Sequence, residues 1–247
     1  MPKPSTTSAQ ISSPPSTVTL ANDAENSIVR KIGFALLWIG FSLYAFTLSP
    51  PAQPDTLEVI TRLSTGQWDG LNPAVIALFN LMGIWPMIYA CLALIDGPGQ
   101  KIPAWPFVAG SFALGAFAFL PYLALRDANP TFAAPKTKLL QLVDSPWTGR
   151  AIALGSVVLL SYGLLNGNWS DFAQQWHSNQ FIHVMSLDFC MLCAVVAPLL
   201  KDDMAKRNLD NPALFWTATL VPLLGIAFYL AIRPPLAGVK QKENEPA

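Results

Sequence analysis

Six long apolar runs with almost no charge dominate the chain and restrict what it can fold into. They cover residues 32–48, 73–95, 104–125, 151–165, 181–200 and 213–232. A helix needs about 20 apolar residues to cross about 30 Å of hydrocarbon, and most of the runs approach that length. Inside a bilayer every backbone N–H and C=O group must be paired internally, so only helices or a closed barrel span it. Because the strict alternation of a barrel strand is absent, we predict an all-α fold, a polytopic transmembrane helical bundle of about six spans.

The composition supports this prediction and excludes one class of partner. Hydrophobic residues make up 52% of the chain and charged residues 12%, whereas about 25% of a typical soluble protein is charged. The net charge is zero, so there is no basic surface for nucleic acid. We therefore expect the partners to be the lipid bilayer and other membrane proteins, and the sequence does not identify a small-molecule ligand.

The ends and loops predict how the chain is organised. Residues 1–27 form a Ser/Thr/Pro-rich tail that we expect to be disordered, residues 28–235 form the transmembrane helical domain, and residues 236–247 form a second polar, disordered tail. The segments 55–64 and 170–178 carry apolar residues at helical spacing, which predicts two short interfacial helices. With six spans the Lys and Arg residues divide seven against eight between the two sides. The positive-inside rule then assigns no orientation.

Three polar residues within the runs are the candidate intramembrane site: Asp188, His183 and Asn80. Asp188 is the most costly, because a charged carboxylate at this depth costs about 2.5–3.5 kcal/mol. It predicts either a proton, cation or ligand site or a structural tie between helices, and we favour the structural tie. His183 lies five residues earlier, about 140° around the helix, so the two do not form a direct dyad. Asn80 predicts an interhelical hydrogen bond.

The cysteines do not predict a metal centre. Cys190 and Cys193 share a helix face with His183 and could in principle ligate a metal or heme, but a structural zinc site needs four ligands. In the apolar middle of a run, buried unreactive thiols are the better interpretation. Ser111 and Gly115 are four residues apart in the third run, a spacing that indicates close helix packing. We find no nucleotide-binding or hydrolase motif and no clear repeat between the two halves, so we predict no metal and no cofactor.

Several segments resemble an uncharacterised family of integral membrane proteins of cyanobacteria and plant plastids. The resemblance is carried by residues 80–90 (NLMGIWPMIYA), 101–107 (KIPAWPF), 115–122 (GAFAFLPY), 181–189 (FIHVMSLDF) and 202–205 (DDMA). It implies a photosynthetic host and a thylakoid or plasma membrane. It supplies no catalytic or binding residue to carry over, but it includes Asp188, which is therefore the first candidate for a site.

Three functional hypotheses remain at this point. The first, which we favour, is a non-enzymatic accessory, assembly or regulatory protein of a photosynthetic membrane, since catalytic motifs are absent. The second is a small-solute or ion transporter that uses Asp188. The third is a membrane enzyme that acts on a lipid-soluble substrate such as a carotenoid or quinone, with His183 and Asp188 as its only visible polar residues.

Overall fold

The apolar runs form helices, together with shorter helices between them. The computed structural model describes residues 17–132 and 137–236, and throughout those ranges the regular structure is helical. The helices are α1 (Thr17–Thr47), α2 (Thr56–Thr65), α3 (Pro73–Asp96), α4 (Trp105–Leu114), α5 (Ala116–Leu125), α6 (Lys138–Asp144), α7 (Pro146–Asn166), α8 (Trp169–Ser178), α9 (Gln180–Ala194), α10 (Ala197–Lys206), α11 (Pro212–Leu220) and α12 (Leu224–Ile232). The predicted all-α fold is confirmed.

Four helical segments within the described residues are long and apolar enough to cross a membrane: Glu25–Thr47, Pro73–Gly99, Pro146–Asn166 and Gln180–Lys206. The last consists of α9 and α10, which meet at a bend beside Val195. Together with the apolar composition, these segments make the chain an integral, multi-pass membrane protein. The short helices α2 and α8 form where the sequence predicts them.

The third and sixth apolar runs do not form single straight helices, because each folds back on itself as a helical hairpin. A Cβ placed on Gly110 of α4 would lie 3.2 Å from the Cβ of Ala118 of α5, although eight residues along one helix span about 12 Å. A Cβ on Gly225 of α12 would likewise lie 3.0 Å from the Cα of Ala218 of α11. The α4–α5 and α11–α12 pairs are therefore hairpins of two half-length helices, and each enters and leaves on one side.

The ion pairs at the ends of the hairpins support this topology. Asp96 ends α3 just before the first hairpin and Arg126 follows that hairpin, yet Arg126 Nε lies 2.8 Å from Asp96 Oδ2. Asp203 and Arg233 flank the second hairpin in the same way, 3.0 Å apart. A run that crossed 30 Å of hydrocarbon would place the members of each pair on opposite sides. We call the end of the bundle that holds these pairs the charged end.

The structure shows a repeat that the sequence patterns did not indicate. A shift of 107 residues carries Asp96, Tyr122 and Arg126 onto Asp203, Tyr229 and Arg233. In both sets the tyrosine is 26 residues and the arginine 30 residues after the aspartate that they contact. The same shift carries Asn72, which caps α3, onto Asn179, which caps α9. It also carries the first residue of α4 onto the first residue of α11. Each half therefore has two spans followed by one hairpin.

The hairpins change the charge balance across the membrane. Among the described residues the charged end carries ten cationic side chains and the opposite end carries Arg62. The ten are Arg30, Lys31, Lys101, Arg126, Lys138, Arg150, Lys201, Lys206, Arg207 and Arg233. The positive-inside rule therefore predicts that the charged end is cytoplasmic. The even division expected for six spans arose because two crossings were counted that the hairpins do not make.

The boundary predicted for the first tail differs from the helix that forms. Helix α1 begins at Thr17, before the predicted start of the membrane domain at residue 28. Residues 1–16 and 237–247, which carry most of both predicted tails, lie outside the described residues.

Candidate functional site

Asp188 meets the tip of the first hairpin in the middle of the bundle. Its side chain on α9 is buried, with 5% of the residue exposed, and its Oδ1 accepts a hydrogen bond of 2.8 Å from the backbone N–H of Ala116. Ala116 is the first residue of α5, so Asp188 satisfies one of the free N–H groups at the helix start and interacts favourably with the helix dipole. The structural tie predicted for Asp188 thus runs to a helix terminus.

Gly115 makes this contact possible. It joins α4 to α5 with a φ of +51°, which a residue with a side chain rarely adopts. A Cβ at this position would lie 1.8 Å from Asp188 Oδ2. Gly115 is therefore a turn residue and a point of close approach to a carboxylate, and the packing of Ser111 and Gly115 along one straight helix, as the spacing indicated, does not occur.

His183 lies in a separate site near the opposite end. Its Nδ1 is 2.8 Å from the carbonyl oxygen of Trp176, and its Nε2 is 2.8 Å from the hydroxyl of Tyr44. Because a carbonyl oxygen only accepts, Nδ1 carries a proton. The Trp176 ring packs on the imidazole, with centroids 4.3 Å apart. In a neutral imidazole this hydrogen bond leaves the lone pair on Nε2, the nitrogen that can then ligate a metal.

The remaining candidates do not join these two sites. Asn80 donates a hydrogen bond of 2.8 Å to the carbonyl of Ile76 in its own helix, so the predicted interhelical bond is replaced by an intrahelical one. Cys190 is exposed on the outer face of α9, and Cys193 is partly buried at its end. Neither thiol contacts His183, and no group of three or more His, Cys, Asp or Glu residues that could hold a metal occurs among the described residues.

The largest polar cluster was missed by the sequence analysis. Arg126 and Arg233, which end two apolar runs, look like residues that extend to the lipid headgroups, and Asp203 with Arg207 looks like a solvated pair. In the structure all four are buried. They belong to a set of four acids and four bases at the charged end, which we call the ionic cluster: Asp96, Asp144, Asp202, Asp203, Arg126, Lys206, Arg207 and Arg233.

The ionic cluster links the two halves of the chain. Lys206 Nζ lies 3.2 Å from Asp96 Oδ1, and Arg126 of the first half contacts Asp202 of the second. Tyr122 and Tyr229 donate hydrogen bonds of 2.8 and 2.6 Å to the aspartates of their own halves. Charges removed from water are tolerated when they are paired and hydrogen-bonded, and this set has equal numbers of each sign. The cluster therefore holds the ends of the spans together at the charged end.

A further ion pair at the charged end joins the first span to a loop outside the spans. The Lys31 ammonium donates to Asp127, and this hydrogen bond holds the pKa of the Asp127 carboxyl below its usual value. Lys101 Nζ lies 3.7 Å from Asp127 Oδ2, on the solvent side. The contact ties the start of the first span to the loop that follows the first hairpin.

The chain is similar to a known heme-binding subunit over most of its length. This relative is the protein-methionine-sulfoxide reductase heme-binding subunit MsrQ of Agrobacterium fabrum (strain C58 / ATCC 33970), and the two are 23% identical over 223 residues. The alignment covers 81% of this chain and 97% of the relative. No protein-family model and no solved structure matches the chain.

This likeness corrects two predictions. The relative binds heme, so the prediction of no cofactor is wrong. The relative is also a subunit of a reductase, so the favoured hypothesis of a non-enzymatic accessory protein of a photosynthetic membrane is wrong as well. Both predictions relied on missing motifs, and heme ligation by one or two isolated side chains leaves no motif to detect. The resemblance to a cyanobacterial and plastid family stays a prediction.

Proposed function

We propose that the chain is a heme-binding membrane subunit of a redox system, with His183 as a ligand to the heme iron. The likeness to a heme-binding reductase subunit along 97% of that protein supports the class of function. The chain itself supplies the observation that carries the residue assignment. His183 is buried, and its proton lies on Nδ1, directed at a backbone carbonyl.

The donor groups of the chain fit a heme held by one histidine. Heme iron is bound in proteins by His, Cys, Met or Tyr. The sequence contains two histidines, and the other, His177, is exposed on α8. The carbonyl of Trp176 orients the imidazole of His183, which is the usual arrangement behind a metal-binding histidine. In the structure the Tyr44 hydroxyl is hydrogen-bonded to Nε2 of His183, so binding of the heme iron requires that Tyr44 move aside.

A bound heme would supply one-electron transfer, while the protein sets its position and surroundings. The residues of this chain would orient the His183 imidazole through the Trp176 carbonyl and exclude water with the Trp176 ring. Reduction of a sulfoxide to a thioether consumes two electrons and two protons. A subunit of this kind would therefore pass electrons to a partner that carries the catalytic site.

The experiment is a heme titration of the purified protein in mild detergent, followed by absorption spectroscopy. We expect the parent to bind heme and show a reduced-minus-oxidised difference spectrum, and His183→Ala to lose at least nine-tenths of it. His177→Ala is the matched control and should retain the spectrum. Tyr44→Phe should bind heme at least as tightly as the parent, because it removes the competing hydroxyl.

Size-exclusion chromatography separates loss of the ligand from loss of the fold. A His183→Ala protein that elutes like the parent and still binds heme fully would overturn the assignment of His183. A parent protein that takes up no heme would overturn the proposed function itself.

A further inference from the structure

A cavity of about 660 Å³ lies between α1 and α9, with the tip of the first hairpin beside it. Aromatic and aliphatic side chains dominate its lining, and Asp188 contributes a carboxyl group. Phe46 and Phe112 in the lining are exposed on the outer surface, so a ligand dissolved in the lipid can reach it. A volume of this size is typical of small-molecule sites. His183 is not among the lining residues.

Asp188 presents a carboxylate oxygen with no protein partner to this cavity. Oδ1 accepts the Ala116 N–H, whereas Oδ2 has no hydrogen bond to any of the residues that the structure describes. The residue is 95% buried and lies in the cavity lining. Oδ2 opens onto the cavity and is not sealed inside the protein, so a hydrogen-bond donor on a ligand can pair with it.

The internal repeat supports a role for Asp188 beyond the fold. The residue that corresponds to Asp188 in the first half is Leu81, which is buried in the apolar core. The helix pair that corresponds to α1 and α9 is α7 and α3, which pack closely through Gly163 and Ala77. The contact between α3 and α7 is thus closed by small residues, whereas the corresponding contact between α1 and α9 is open and carries a carboxylate.

The lining selects the class of ligand. A cationic group would have to leave water to reach Asp188, and the cost of desolvating it is large. A neutral hydroxyl provides the donor at a smaller cost. Phe79, Phe117 and Phe181 favour contact with a flat, unsaturated body. We propose that this cavity binds an uncharged, lipid-soluble alcohol or phenol, with its hydroxyl donating to Asp188 Oδ2.

The test uses two fluorescent probes that differ in one hydrogen-bond donor. Pyrenemethanol can donate to Asp188, and its methyl ether cannot. Trp38 lines the cavity, and the chain has eight tryptophans. The part of the tryptophan-to-pyrene energy transfer that Trp38→Phe removes therefore reports binding to the full-length protein in lipid nanodiscs. We expect the alcohol to bind the parent about tenfold more tightly than the ether, since a hydrogen bond to a carboxylate is worth about that ratio or more.

Two variants separate the site from general partitioning into lipid. Gly83 lines the cavity, whereas Gly40 of α1 does not. Both glycines have open space beside them. Gly83→Phe should abolish the Trp38-dependent energy transfer to both probes, and Gly40→Phe should leave it unchanged. Asp188→Asn keeps an acceptor for Ala116 but presents an amide to the cavity, so the preference for the alcohol should fall to about twofold or less.

Equal affinity of the two probes for the parent would overturn the proposal, as would undiminished binding to Gly83→Phe. Neither result depends on heme, because the cavity and His183 are separate sites. Retained heme binding with no probe binding would therefore reject the ligand site and leave the proposed function standing.

Discussion

Arg126 and Asp96 stand 30 residues apart, at either end of an apolar run, and their side chains are hydrogen-bonded at 2.8 Å. A single crossing of the membrane would separate them by the thickness of the hydrocarbon. The hairpin between them therefore returns to the side from which it started. The same relationship recurs in the second half between Asp203 and Arg233.

This topology predicts which loops share a side of the membrane. In a background without cysteines, Lys101→Cys and Asp210→Cys should react alike with a membrane-impermeant maleimide, and Glu58→Cys should react from the opposite side. All three positions are exposed. Labelling of intact and inverted vesicles measures this. Six full crossings would instead group position 210 with position 58.

The ionic cluster predicts a large loss of stability when one partner is removed. Asp203→Asn weakens the contacts of Arg207 and Arg233, which then remain buried without a full counter-charge. Breaking a buried pair in this way costs about 3–5 kcal/mol. Thermal unfolding in detergent should show the loss. Asp96→Asn should give a loss of similar size, because Asp96 corresponds to Asp203 in the internal repeat. As a control, Lys101→Ala should cost less than about 1 kcal/mol, because that side chain is 91% exposed.

Gly115 predicts a sharp contrast between two glycine-to-alanine changes. The Cβ added by Gly115→Ala would clash with Asp188 Oδ2, and alanine rarely adopts the positive φ at this position. We therefore expect a destabilisation of at least about 1–3 kcal/mol. Gly40→Ala has nothing within 4 Å in the middle of α1, and its higher helix propensity should leave stability unchanged or slightly raised. Melting temperatures of the two variants, measured side by side, check this. A neutral Gly115→Ala would contradict the hairpin tip as described.

The ion pair of Lys31 and Asp127 predicts a pH-dependent contribution to stability. Because the pKa of Asp127 is lowered in the folded state, the contribution is present above the unfolded value of about 3.9 and is lost as the pH falls through the folded value. The side chains are 31% and 41% exposed, so it amounts to about 1 kcal/mol or less. Asp127→Asn should therefore melt below the parent at pH 7, and the difference should shrink below pH about 4. Asp210→Asn, in an exposed loop, is the control.

The sequence was informative where a single local property decides the structure. Hydropathy identified the helices, and the cost of a buried carboxylate singled out Asp188. Hydropathy could not distinguish one crossing from two half-length helices, because both bury the same number of apolar residues. The signal that would have identified the hairpins is the spacing of Tyr and Arg after Asp96 and Asp203, which repeats in both halves.

The site was less accessible to sequence analysis for a different reason. The tautomer of His183 is set by Trp176, and the partner of Asp188 is the N–H of Ala116. Both are backbone groups, which every residue type carries. A backbone partner leaves no trace in the identity of the residue that provides it, so only the fold could show these contacts.

The parallel arrangement of the two halves has a consequence for how such a protein could arise. Each half crosses the membrane an even number of times and returns to the charged end, so a second copy joined to the first enters the bilayer in the same orientation. A chain of half this length could therefore have worked as a symmetric pair before fusion. After fusion the two faces of that pair were free to diverge, one toward tight contact and one toward an open chamber.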